Sequence, residues 1–136
     1  MMDNRVKAVT LVEILVATLV FLIVCGSLLN SIVTILYIID IARDETSAVS
    51  DLRSLMEKIN STPFVSVTTL FPNGVIDGPT GNNYSNLVGG YKLKNEHITV
   101  NYADVNADPL EINVRLEWED KRRHPHSIEM STFKTK

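Results

Sequence analysis

The chain has 136 residues, a net charge of −3, 45% hydrophobic residues and a single cysteine. That length holds one small domain plus one membrane segment. The mild negative charge argues against a surface that binds nucleic acid over its whole extent. One cysteine excludes an intramolecular disulfide, so cysteine usage says nothing of redox compartment.

Arg5 and Lys7 precede a long apolar run that begins at Val9 and continues to Ile41. No charged residue lies between Ile14 and Ile39. That stretch makes about 39 Å of helix, and a bilayer core needs about 30 Å. The basic residues before it keep the N-terminus cytoplasmic and send residues 42–136 across. The exception in this apolar context is Glu13. A carboxylate at the edge of a spanning helix is costly and needs a partner.

Lys7-Ala8-Val9-Thr10-Leu11-Val12-Glu13-Ile14-Leu15 resembles the leader-peptidase junction of type IV pilins and pseudopilins. The resemblance implies a leader over residues 1–8 and a cut between Ala8 and Val9 by the prepilin peptidase. It implies N-methylation at Val9 and places Glu13 fifth in the mature chain. Ala8 stands where that family usually has glycine, and Val9 where it has phenylalanine. The segment 51–64 and the tryptophan-bearing stretch from Val114 to Glu119 are also similar to minor members of the family. The partners implied are the peptidase, other pilin or pseudopilin subunits, an inner-membrane assembly platform, and lipid before assembly. Glu13 would meet the new amine of Val9, chiefly on a neighbouring subunit.

Two other readings of the apolar run fit it less well. A secretory signal has a core of roughly 7–15 residues with a small-residue cleavage site behind it. This run is longer, and no such site follows it. Leu22-Ile-Val-Cys25-Gly26 imitates a lipoprotein box, but Val24 is not small and the apolar run goes on past Cys25.

Beyond Asp40 the pattern becomes amphipathic. Ile41, Val49, Leu52, Leu55, Met56 and Ile59 recur at helical spacing. Arg43, Asp44, Glu45, Asp51, Arg53, Glu57 and Lys58 are expected on the opposite face. No proline or glycine interrupts residues 27–62, so one helix is expected from the apolar run to about 62, where Pro63 ends it. Residues 63–90 read as loop, with turn signals at Pro72-Asn-Gly74, Asp77-Gly-Pro79, Gly81-Asn-Asn83 and Gly89-Gly90.

Strands are expected over residues 91–133. Tyr91 to Lys94 is short, His97 to Tyr102 alternates, and Leu110 to Glu119 alternates with Leu110, Ile112, Val114, Leu116 and Trp118 inward. Ser127 to Phe133 forms the last strand, joined to its predecessor by a hairpin. The expected fold is α+β, a long N-terminal helix packed on a three- to four-stranded antiparallel sheet. The chain divides into a leader (1–8), an assembly helix (9–41) and an extracytoplasmic globular domain (42–136).

Asp104-Val-Asn106-Ala-Asp108 imitates half of a calcium loop, but Pro109 replaces the glycine and Arg115 the bidentate glutamate. It reads as a polar turn, and no metal or other cofactor is expected. Lys121, Arg122 and Arg123 form the strongest basic cluster. It reads as a solvated hairpin tip, with docking to an acidic partner or to phosphate as the functional alternative. No nucleophile–base constellation or phosphate loop is present, so no enzymatic activity is expected. The reading that results is a minor structural subunit of a pilus, a secretion pseudopilus or a DNA-uptake filament. The rivals are a single-pass anchored binding domain and a DNA-binding minor pilin that uses residues 121–126.

Overall fold

The computed structural model describes residues 10–136. Helix α1 (Leu11–Ser61) is followed by two short helices, α2 (Phe64–Leu70) and α3 (Asn83–Val88). Three strands then run in order, β1 (Lys94–Tyr102), β2 (Leu110–Glu119) and β3 (Pro125–Lys134). The fold is α+β, a long helix packed on a three-stranded antiparallel sheet of order β1-β2-β3. Two compact units divide at Asp40/Ile41.

In the first unit, α1 starts at a polar cap. The Thr10 hydroxyl accepts a hydrogen bond from the Glu13 amide at 3.3 Å, which satisfies one of the free donors of the first turn. From there to Asp40 most side chains are exposed and most are apolar. This helix is long and apolar enough to cross a membrane.

The second unit is built on the amphipathic stripe of α1. Ala48, Leu52, Leu55, Met56 and Ile59 are buried. They join Ile98, Val100 and Tyr102 of β1 and Leu110, Ile112, Val114, Leu116 and Trp118 of β2 in one core. Strand β2 is central and alternates cleanly between buried and less buried positions, as a half-covered strand must. Every inward position on β3 remains half-buried, whereas those of β1, the other edge, are buried.

Four expectations are corrected. Asp51 lies on the buried face of α1, at 2% exposure, rather than the polar face. Position 51 follows Ala48 by three residues and precedes Leu55 by four, which puts it at the edge of the same buried stripe. Tyr91 to Lys94 makes no separate strand; β1 opens at Lys94 and its register to β2 shifts between Lys94 and His97. β3 begins at Pro125, two residues earlier than expected. Residues 63–90 are not simply loop. Helices α2 and α3 set Val67, Phe71, Tyr84 and Val88 into the core, with the Phe71 and Tyr84 rings 6.0 Å apart.

The turn before α3 depends on Gly78. Its φ is +89°, and a Cβ there would come within 2.9 Å of the Asn83 Cβ. Only glycine combines that backbone with that approach.

Candidate functional site

Glu13 belongs to the first turn of α1, where a negative side chain complements the helix dipole. Thr10 and Glu13 have the spacing of a capping box. Its amide half is formed. No partner for the Glu13 carboxylate lies among the described residues, and the side chain is exposed. It borders a shallow hollow lined by Ile14, Ala17, Thr18 and Phe21, formed where Ala17 leaves space beside larger neighbours. Ala8 and Val9, the expected processing residues, lie outside the described residues.

Further along the apolar unit a polar seam emerges that composition alone concealed. Ser27, Asn30, Ser31 and Thr34 recur at three- and four-residue spacing, so they share a face. Ser27 follows Glu13 by about four turns, which puts Glu13 on the same side. The hydroxyls of Ser27, Ser31 and Thr34 donate to the carbonyls of Ile23, Ser27 and Asn30 at 2.9, 3.0 and 3.0 Å. Polar side chains of this kind join helices within bilayers.

The basic tip is more ordered than a solvated loop. Asp120 is 3% exposed and holds the turn from within. Its Oδ1 accepts from the Arg122 and His124 amides at 2.7 and 2.8 Å. Its Oδ2 lies 3.1 Å from His124 Nδ1 and 3.6 Å from His126 Nε2. Arg123 takes a positive φ of 65° to close the turn. His126 stacks on Trp118 with 5.4 Å between ring centroids. Lys121, Arg122 and Arg123 are brought together and exposed at this tip.

Asp104-Val-Asn106-Ala-Asp108 forms a turn. Asp104 Oδ1 accepts from the Asn106 amide at 2.9 Å, and Asp108 Oδ2 lies 3.9 Å from the Lys136 ammonium. Among the described residues no group of three or more histidines, cysteines or carboxylates is placed to hold a metal ion.

A second carboxylate hub was not singled out by sequence. Asp77 takes a positive φ of 59° and ties the 71–90 segment to β1. Its Oδ1 accepts from the Tyr91 hydroxyl at 2.5 Å and the Ile98 amide at 3.1 Å, and its Oδ2 lies 3.0 Å from His97 Nδ1. Its own amide donates to the Ile98 carbonyl at 2.7 Å. Burial alone would raise the Asp77 carboxyl. The hydrogen bonds from Tyr91, His97 and Ile98 outweigh it and hold the group below its ordinary value. The Tyr91 phenol is pushed up by burial and by this carboxylate, so it remains a donor. The available signal was Asp77-Gly78 itself, which marks a turn but not its anchor.

Compared with protein-family models, curated proteins and solved structures, the chain matches none.

Proposed function

We propose that this chain is a minor structural subunit of a pilin-like filament. The prepilin peptidase would cut between Ala8 and Val9 and methylate the Val9 amine. The apolar helix would hold the subunit in the inner membrane, N-terminus cytoplasmic, with residues 42–136 on the far side. An assembly platform would then move it into a filament of pilin or pseudopilin subunits. There the helices of neighbours replace lipid. Water could not, because exposing that surface costs about 25 cal/mol per Å².

The observation that carries this reading is Glu13. It stands at the start of an exposed apolar helix, above the hollow at Ala17, with no carboxylate partner among the described residues. A positive amine on a neighbouring Val9 would supply that partner. The polar seam from Ser27 to Thr34 gives the same helix face a means of packing against others. Intact-mass analysis of the native protein should find a chain that begins at Val9 and carries one methyl group. Retention of Met1 would refute the reading and leave an anchored extracytoplasmic binding domain in its place.

The exposed Lys121-Arg122-Arg123 tip raises the second reading, a DNA-binding subunit. Phosphate contacts release counterions, so such binding weakens steeply with salt. Glu117 and Glu119 border the tip on β2, and the expected result is no tight binding in a gel shift at physiological salt. Salt-sensitive binding that disappears when all three residues are changed to alanine would favour the DNA-uptake reading.

A further inference from the structure

We propose that Asp51 of α1 and Glu96 of β1 share one proton where the helix meets the sheet, and that this proton makes their packing sensitive to pH. Both carboxyl groups are buried, at 2% and 3% exposure. Each keeps one fully buried oxygen without a hydrogen-bond partner, Asp51 Oδ2 and Glu96 Oε1, and the two side chains act on each other where the helix meets the sheet. Two carboxyl groups can satisfy those oxygens against each other only if one carries a proton.

The geometry confines the proton to two oxygens, Glu96 Oε1 and Asp51 Oδ2. Glu96 Oε2 accepts from the Lys92 and Leu93 amides at 3.0 and 2.9 Å. An oxygen that accepts two N–H donors is the unprotonated one. The remaining oxygens, Glu96 Oε1 and Asp51 Oδ2, are both fully buried and have no donor of their own. One hydrogen held between these two oxygens satisfies both atoms at once.

The charges around the pair agree with this count. Lys92 is the cation that bears on both carboxyl groups, and Asp51 is the facing charge contributed by α1. Tyr91, adjoining Glu96, is neutral and bonded to Asp77. One ionised carboxylate balances Lys92; a second would leave a buried negative charge without a counterion. Burial raises both carboxyls, and Asp51 raises Glu96 further.

The sign follows. A raised carboxyl holds its proton in the folded state after the unfolded chain has released it, so stability declines as pH rises above the ordinary carboxylate range. While the native pair holds one proton more than the unfolded chain, the folding constant falls roughly tenfold per pH unit. Above the pH at which the native pair also releases it, the decline ends. The device therefore loosens α1 on β1 in alkaline surroundings and tightens it in mildly acidic ones.

The test is denaturant unfolding of the full chain in detergent micelles at several pH values from 5 to 9. Trp118, the chain's one tryptophan, is buried in the same core and supplies the fluorescence readout. Glu96→Gln places a permanent N–H donor opposite Asp51 and keeps an oxygen for the two amides. It should unfold at higher denaturant than the wild type at pH 8 and reduce the alkaline decline. Asp51→Asn should reduce the same decline by donating to Glu96. An undiminished decline in both variants would overturn the proposal, as would failure of both to fold. Stabilisation of the wild type at pH 8 by millimolar calcium chloride, absent in Glu96→Gln, would also overturn it, since a cation rather than a proton would then bridge the pair.

Discussion

Glu13→Ala should be inserted, processed and folded over residues 42–136, yet depleted from sheared filaments roughly tenfold or more relative to wild type at matched expression. No partner for the carboxylate lies among the described residues, so its loss removes no bond described in that core. Its amide, not its side chain, is what the Thr10 cap engages, at 3.3 Å. Within an array of apolar helices the case differs. An unpaired Val9 amine on a neighbour would then be buried without its counterion, and breaking such a pair costs about 3–5 kcal/mol. Membrane and filament fractions probed side by side decide it. Equal recovery of mutant and wild type in filaments would assign Glu13 to helix capping alone and support the anchored-domain rival.

Asp77→Ala should destabilise residues 41–136 by about 3 kcal/mol or more, read from the Trp118 unfolding transition of the full chain in micelles. Three donors lose one acceptor, and two of them, the Tyr91 hydroxyl and the Ile98 amide, are left in or near the core. The positive φ of 59° adds strain for alanine. Asp77→Asn keeps the backbone geometry and one acceptor, so it should lose less. The pH sign is opposite to that of Asp51 and Glu96. A lowered carboxyl contributes stability above its unfolded value and loses it as pH falls through the native one. Wild type should therefore be most stable at mildly acidic pH. Asp77→Asn should flatten the acid limb and leave the alkaline limb in place. A change confined to the alkaline limb would contradict this assignment.

The sequence by itself determined the long helix, the alternating strands and the α+β class. These follow from local periodicity. An unbroken apolar stretch makes a membrane-length helix, and a period of two over Leu110 to Glu119 leaves one face for a core. The charges were harder to place. Asp51 reads as a surface residue because an isolated buried carboxylate is too costly to expect. Only the fold brings Glu96, more than forty residues later, into the same buried helix–sheet contact. Glycine and proline punctuation marked the turns of 63–90. That punctuation does not reveal that Val67, Phe71, Tyr84 and Val88 plug the core, because those residues have no regular spacing. Lys121, Arg122 and Arg123 were legible as a basic tip. The Asp120 side chain that shapes the tip was not, since its role depends on amide groups that point inward only after the hairpin closes. Periodicity reports which face of an element is apolar. Which buried polar groups meet there is decided by long-range packing, where each must find its partner or be excluded.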